Sequence, residues 1–220
     1  MTESRARWTA GPLSRAALAI AVESFASKSR KGGDTPYLSH LLAVSALVME
    51  HGGSEVQAAA GLLHDTIEDI KTPAPELTEK LVQHGATAAE AAAVVTIVEA
   101  TSDGQPDDRR DGNDWAVRKS RYLESLRAKG PHDPALLVSL ADKVHNSEAT
   151  VQDIRTGKTA HQLYVTPVFN AEAALQKWYY SSLAQVFRDK LGGNAHALPL
   201  VRRLEAAVDE IFVGVEAATP

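Results

Sequence analysis

Residues 59–69 decide both the fold and the chemistry of this chain, and they read Ala59-Ala60-Gly61-Leu62-Leu63-His64-Asp65-Thr66-Ile67-Glu68-Asp69. The first five residues are apolar or small, as in a helix packed into a core. Four ionisable side chains then follow within six residues. Burying such groups is costly unless something compensates them, and a bound metal ion does so directly. The stretch therefore predicts a metal centre on a buried helix.

The spacing of these ionisable groups predicts a shared face. On a continuous helix, residues four apart are neighbours, so His64 lies beside Glu68 and Asp65 lies beside Asp69. We expect His64 and Asp65 to be metal ligands, with Glu68 and Asp69 one turn later pointing at the same space. Acids near the C-terminus of a helix oppose its dipole, so their presence there favours a functional role.

Two further ligand candidates, His40 and Asp142, each lie within an apolar helical pattern. Their helices must pack on the helix of His64 for a core to form. The resulting site has two imidazoles and two carboxylates. This mixture of borderline and hard ligands favours Mn²⁺ or Fe²⁺ over Zn²⁺ and Mg²⁺, and we predict Mn²⁺.

The rest of the chain is also helical in pattern, so the predicted fold class is all-α. With 220 residues and 44% hydrophobic side chains, we expect one domain over residues 11–215, in which C-terminal helices at 167–215 pack on the motifs at 28–155. A flexible N-terminal tail is predicted at 1–10, an exposed loop at 101–114 and a second tail at 216–220. The predicted helices cover 14–26, 38–51, 55 onwards, 75–84, 88–99, 115–129, 134 onwards, 171–191 and 198–213.

Composition narrows the function classes. The formal net charge of −5 argues against a nucleic-acid binder. The absence of cysteine excludes disulfides and cysteine-ligated zinc. We find neither a secretory signal nor a stretch of membrane-spanning length, and expect a soluble cytoplasmic protein without a membrane partner. The sequence leaves a homo-oligomer open.

Three ordered motifs resemble the HD-domain phosphohydrolase superfamily, and they are Pro36-Tyr37-Leu38-Ser39-His40, residues 62–69, and Leu140-Ala141-Asp142-Lys143-Val144-His145-Asn146. Within it the chain resembles the hydrolase domain of RelA/SpoT proteins and the stand-alone small alarmone hydrolases of the metazoan SpoT homologue type. The resemblance implies an all-helical HD-type bundle. It also implies one Mn²⁺ ion held by His40, His64, Asp65 and Asp142.

The resemblance further implies a reaction, the removal of the 3′-pyrophosphate from guanosine tetra- or pentaphosphate. Glu68 and Asp69 would activate and orient the attacking water. Arg30 and Lys31 would meet the nucleotide, and Asn146 would contact its ribose or phosphate. The chemistry is consistent, because a metal acidifies its water and polarises the phosphoryl group while a carboxylate takes a proton.

Two alternatives stay open, an HD phosphohydrolase for another nucleotide and a non-catalytic nucleotide sensor. The pair Glu68-Asp69 counts against a sensor, which has no need of water activation. Glu148 departs from the family, which usually has an arginine there, and a carboxylate beside a pyrophosphate weakens binding unless it points away.

Several other residues have structural interpretations from the sequence. We expect Arg118 and Lys119 to lie on a solvated helix face and Lys143 to point away from its neighbouring aspartate. His145 is expected to bond within its own helix, and the aromatic run 178–180 to pack in the core.

Overall fold

The structure is a computed structural model that describes residues 9–102, 115–165, 169 and 171–218. These residues form helices and no strand apart from one bridge between Ser29 and Pro36, which confirms the all-α class. None of the described helices is long and apolar enough to cross a membrane. The elements are α1 Pro12–Ser24, α2 Leu38–Glu50, α3 Glu55–Leu63, a π-helical turn Thr66–Ile70, α4 Ala74–Gln83, α5 Ala88–Thr101, α6 Trp115–Ala128, α7 Pro134–Arg155, α8 Ala160–Leu163, α9 Ala173–Leu191 and α10 Leu198–Ile211.

The helix boundaries follow local signals. Ser54 and Gln57 form a reciprocal capping box at the start of α3, in which the Gln57 N–H donates to Ser54 Oγ and the Ser54 N–H donates to Gln57 Oε1. Asp133 accepts from the N–H of Ala135 at the start of α7. Most predicted ends are therefore correct to within two or three residues. The loop predicted at 101–114 begins later, since Thr101 ends α5, and residues 103–114 lie outside the described part.

The helix α3 is central, because it packs against α1, α2, α5 and α7. Gly61 allows the close approach of α2, since a Cβ at this position would lie 3.2 Å from Cα of Ser45. The Ser45 hydroxyl also donates to the carbonyl of Ala58 at 2.9 Å. These contacts bring the beginning of α2 towards the end of α3. The helix α10 packs on α7 and α9 at the other side.

The predicted continuous helix through residues 59–69 is wrong, because α3 ends at Leu63 and a wider π-helical turn follows. The turn ends at Lys71, which has a left-handed backbone with φ of 65°. This conformation is strained for residues other than glycine, and it persists where tertiary contacts impose it. Here Tyr37 binds Asp65 and Lys28 binds Asp69, so side chains from outside the turn hold both of its acids. The predicted domain limits and tails stay predictions, because residues 1–8 and 219–220 lie outside the described part.

Candidate metal centre

The structure brings the four proposed metal ligands together. His40 lies in the first turn of α2, and His64 and Asp65 lie between α3 and the π-helical turn. Asp142 lies in the middle of α7. Both imidazole rings are buried, as is Asp142. The packing of α2 and α7 on α3 therefore creates one cluster from three chain segments.

Donor atoms of His40, His64 and Asp65 all lie within 4.8 Å of one another, and Asp142 adds an oxygen beside the two imidazoles. Nε2 of His40 lies 3.2 Å from Nε2 of His64. The two nitrogens lie 3.0 to 3.7 Å from Oδ2 of Asp65 and Oδ1 of Asp142. Ligands about 2.0–2.2 Å from a common centre, at tetrahedral or octahedral angles, are about 3.0–3.6 Å apart. The donor types and their separations are both those of a metal site.

Hydrogen bonds orient the two imidazole rings for ligation. Nδ1 of His64 lies 2.9 Å from the carbonyl of Gly61, so this nitrogen carries a proton and Nε2 is the ring nitrogen that faces the cluster. Nδ1 of His40 lies 2.8 Å from Nδ1 of His145. Burial and the charges of His40 and Arg30 lower the pKa of His145 to about 4, so His145 is neutral and can accept the His40 proton. Such outer partners are typical of metal-bound histidines.

The contact of His145 differs from the expectation of a bond within its own helix. Its ring reaches across to α2, because α7 and α2 pack together at this point. His145 follows the ligand candidate Asp142 by three residues and therefore lies on a neighbouring face of α7. This spacing is the sequence feature that could have predicted its place beside the cluster.

The charges in the cluster favour a cation at its centre. Burial opposes ionisation of Asp65 and Asp142, but neighbouring cationic groups outweigh it and hold both pKa values below the usual range. For Asp142 the strongest of these groups is Lys143, and for Asp65 it is His64. Burial likewise opposes charge on His64, yet the two carboxylates raise the pKa of His64 well above its usual value. The carboxylates therefore stay charged and attract positive charge to this point.

Two outer partners were missed or misjudged from the sequence. The Tyr37 hydroxyl donates to Oδ2 of Asp65 at 2.5 Å, and its ring stacks on Phe25. Lys143 was expected to point away, but its Nζ lies 2.7 Å from Oδ2 of Asp142. The expectation was wrong because a lysine side chain is long enough to fold back onto the preceding residue. The position of Tyr37, one turn before His40, is the sequence feature that could have predicted its place at the cluster.

Glu68 and Asp69 each interact with groups outside the π-helical turn. Oδ2 of Asp69 accepts from Nζ of Lys28 at 2.6 Å. Burial and the charge of Lys143 lower the pKa of Lys119 to about 7, and Glu68 opposes this shift. Lys28 thus reaches Asp69 from the loop after α1, and Glu68 lies within electrostatic reach of Lys119 on α6.

The proposed substrate residues connect to the same centre. Nη2 of Arg30 donates to Oδ1 of Asn146 at 2.9 Å, and Nδ2 of Asn146 donates to Oδ1 of Asp142 at 2.6 Å. The Arg30 guanidinium lies 6.0 Å from the ring centre of Tyr37. Lys31 is exposed in the same loop. The structure therefore links Arg30 and Asn146 to Asp142, and their contacts with a nucleotide stay a prediction, as does that of Lys31.

The solvated face predicted for α6 is wrong. Arg118 is only 4% exposed, and Lys119 lies over the rings of Trp115 and Tyr179, at 5.8 Å and 4.9 Å. The reason is the packing of α9 on α6, which covers a surface that the local sequence alone leaves polar. Tyr179 is buried, as the core prediction for the aromatic run required.

Glu148 is engaged by α10. Its two carboxylate oxygens accept from Nε and Nη2 of Arg203, each at 2.8 Å. The residue that departs from the family pattern is thus bound by a cation on another helix.

Comparisons with known proteins agree with this geometry. A model of the HD domain matches residues 17–166. The guanosine-3′,5′-bis(diphosphate) 3′-pyrophosphohydrolase MESH1 of Xenopus tropicalis is 32% identical over 210 residues, which are 91% of this chain and 96% of that protein. A solved structure of a metazoan ortholog of SpoT that hydrolyses ppGpp has a TM-score of 0.62 at 22% identity, over 94% of this chain and 97% of that chain.

Some relatives are much longer. A probable guanosine-3′,5′-bis(diphosphate) 3′-pyrophosphohydrolase of Synechocystis is 43% identical over 53 residues, which are 24% of this chain. The matched part is 7% of that protein, and 12% to 14% of three other long relatives.

Proposed function

We propose that this chain, which belongs to the HD-domain family, is a metal-dependent phosphohydrolase that removes the 3′-pyrophosphate of guanosine tetra- or pentaphosphate. The observation that carries the proposal is the buried cluster in which donor atoms of His40, His64 and Asp65 all lie within 4.8 Å of one another, with Oδ1 of Asp142 at 3.3 and 3.6 Å from the two imidazole nitrogens. The substrate is proposed from the Xenopus relative, which matches this chain over nearly its whole length and carries that activity in its name.

His40, His64, Asp65 and Asp142 are the residues that would hold the cation. A divalent ion there would supply Lewis acidity towards the phosphoryl oxygen and lower the pKa of a coordinated water molecule. The mixture of nitrogen and oxygen ligands favours Mn²⁺, with Fe²⁺, Zn²⁺ and Mg²⁺ as the alternatives. Metal analysis of protein purified without added metal distinguishes among them.

We assign proton acceptance to Glu68 and orientation of the attacking water to Asp69. Asp69 suits an orienting role because its carboxylate is already held by Lys28. A carboxylate that accepts a proton from the attacking water contributes about 10²–10⁴-fold to such reactions. Both residues follow directly after the ligands His64 and Asp65 in the chain.

The nucleotide would lie over the rim formed by Arg30, Lys31 and Asn146. The guanidinium of Arg30 is planar and is held by Asn146, so it can stack on a purine base without further ordering. The exposed ammonium of Lys31 is suited to a phosphate group. Asn146 links this rim to Asp142, and thereby fixes the distance from the base to the reacting phosphate.

A single assay tests the function. Purified protein is incubated with Mn²⁺ and guanosine tetraphosphate, and separately with a panel of other nucleotides. We expect guanosine diphosphate and pyrophosphate in equal amounts, with one water molecule consumed for each guanosine tetraphosphate hydrolysed. Orthophosphate from another nucleotide would support a different HD phosphohydrolase, and binding without turnover would support a sensor. Either result would contradict the proposal.

A further inference from the structure

The two carboxylate oxygens of Asp142 have separate partners. Oδ1 lies 3.3 Å from Nε2 of His40 and accepts from Asn146 at 2.6 Å. Oδ2 points the other way and accepts from Nζ of Lys143 at 2.7 Å. One oxygen thus faces the candidate metal centre, and the other is occupied by an ammonium group.

The ammonium of Lys143 is held in the interior. Its side chain is 13% exposed, and Nζ lies 5.5 Å from the ring centre of Tyr122. Nζ donates to Oδ2 of Asp142 at 2.7 Å, and both side chains are largely closed to solvent.

The stability of the fold does not explain such a pair. Removing an ammonium and a carboxylate from water costs several kcal/mol, and their mutual attraction only about offsets this cost. An apolar side chain of similar size would fill the space at least as well. A buried lysine beside a ligand carboxylate therefore calls for a role in the behaviour of that carboxylate.

We propose that Lys143 is a positioning residue that restricts Asp142 to binding the cation through Oδ1 alone. The inference rests on the proposed metal site. Because Oδ2 is engaged by an ammonium, the carboxylate cannot rotate to offer both oxygens. A coordination position is thereby kept open for water and for a phosphoryl oxygen, as catalytic metal sites require.

The surroundings of Lys143 extend beyond the matched HD domain. Tyr179 and Tyr180 lie on α9, after the last matched residue 166, and α9 packs on α7, which carries Lys143. The hydroxyl of Tyr179 is buried and has no hydrogen-bond partner among the described residues. The C-terminal part of the chain thus helps to enclose the lysine that holds Asp142.

The test compares three variants by calorimetric titration with Mn²⁺. Lys143→Met removes the ammonium, and Lys143→Gln retains a neutral donor. Lys158→Met is the matched control, because Lys158 makes the same kind of bond, 2.8 Å to Asp153, with 53% of its side chain exposed. We expect Lys143→Met to bind Mn²⁺ at least about tenfold more tightly, because a positive charge beside the ion is removed and Oδ2 of Asp142 becomes free to coordinate. Lys143→Gln should be intermediate, and the control should match the unmodified chain.

A second readout reports coordination directly. With Co²⁺ in place of Mn²⁺, we expect weaker visible absorption in Lys143→Met than in the unmodified chain, because a second Asp142 oxygen raises the coordination number. Unchanged Mn²⁺ affinity together with an unchanged Co²⁺ spectrum would overturn the inference. A raised KM for the nucleotide with normal metal affinity would make Lys143 a substrate contact instead.

The outcomes also separate this inference from the proposed function. If the unmodified chain binds no divalent ion, the metal site itself is wrong and both proposals fall. If the unmodified chain binds Mn²⁺ and the variants bind equally well, only the role of Lys143 is wrong. Circular dichroism checks folding, and loss of the fold in both Lys143 variants would make the residue structural and would also overturn the inference.

Discussion

The helix α7 carries carboxylates in two contrasting surroundings. The side chain of Asp142 is 12% exposed and lies in the candidate metal centre, whereas that of Glu148, later on the same helix, is 36% exposed and bound by α10. Their cationic partners are at almost the same distance, 2.7 Å for Lys143 and 2.8 Å for Arg203. The Asp142–Lys143 and Glu148–Arg203 pairs are therefore alike in their N–O distance, and they differ in the exposed fraction of their side chains.

The difference in burial indicates a different role for each of the two regions. An exposed ion pair is solvated and screened, so it contributes little and costs little. A buried cluster of charged groups is expensive to form, and leaving one member without its partners is strongly destabilising. The Asp142 region is thus organised to receive a further charge, and the Glu148 region joins two helices at the surface.

The largest effect is expected from Asp65→Ala. The substitution removes one of four donor atoms at the proposed centre, so the purified variant should retain no metal by elemental analysis. Its turnover should fall by about 10³-fold or more, because several kcal/mol of transition-state stabilisation is lost. Asp153→Ala, near the C-terminal end of α7, is the control, and it should retain the metal and the turnover of the unmodified chain. Stoichiometric metal in Asp65→Ala would contradict the ligand assignment.

Glu68→Ala should separate chemistry from metal binding. The variant is expected to keep its metal and to lose about 10²–10⁴-fold in kcat, because a proton acceptor is removed while the donor atoms remain. Single-turnover kinetics and metal analysis of the same sample check both statements. Full activity in this variant would show that the role assigned to Glu68 is wrong.

Metal removal should lower the stability of the buried region. A ligand present at about 100 times its Kd stabilises the folded state by about 2.7 kcal/mol, which for a chain of this size corresponds to about 5–10 °C in Tm. We expect a chelator to lower Tm by this amount and excess Mn²⁺ to restore it. The Asp65→Ala variant should show no such response, and an equal response there would place the ion elsewhere.

Glu55, the first residue of α3, binds the start of α1, and we expect its removal to have an effect of intermediate size. Its Oε1 accepts from the N–H of Gly11 and from the N–H and hydroxyl of Ser14, at 2.7, 3.1 and 2.7 Å. It thereby caps α1 from another helix, so Glu55→Ala should cost about 0.5–2 kcal/mol in urea unfolding at pH 7. Ser54→Ala is the comparison, since it removes a cap within one helix. No loss in Glu55→Ala would contradict the capping role.

The effect of Glu55 should also depend on pH. Burial alone would raise the pKa of Glu55, but the hydrogen bonds from Ser14 and Gly11 outweigh it and lower the pKa below 4.5. A carboxyl whose pKa is lower in the folded state stabilises above its unfolded pKa, and this stabilisation is lost as the pH falls through its folded pKa. The difference between the unmodified chain and Glu55→Ala should therefore shrink in acid.

The smallest effect is expected from Glu148→Gln. Loss of the half-buried pair with Arg203 should change the free energy of unfolding by at most about 1 kcal/mol, and less at high salt, because the pair is partly solvated. Because Arg203 already binds both carboxylate oxygens, we also expect little change in KM for guanosine tetraphosphate. A KM that falls tenfold would show that Glu148 acts on the bound pyrophosphate.

The successes of sequence reasoning have a local origin. Helices α3 and α7 begin where Ser54 and Asp133 predict, because a cap depends on residues within one turn. The grouping of His40 with His64 and of Asp65 with Asp142 followed from motif order and from the need of apolar helices to pack. The failures concern long-range contacts. Nothing local shows that Lys119 lies over Tyr179 of α9, or that residues 66–70 leave the α-helical path.

The sequence by itself determined which segments are helices and which side chains can ligate a cation, since periodicity, capping and donor chemistry belong to neighbouring residues. Only the tertiary structure decided which groups surround those ligands. Tyr37 and His145 gained their partners because segments distant in the chain pack together, and the same packing buried the local contact between Lys143 and Asp142. Burial is a property of that packing, and burial converts an ordinary lysine–aspartate contact into a constraint on the proposed metal ligand.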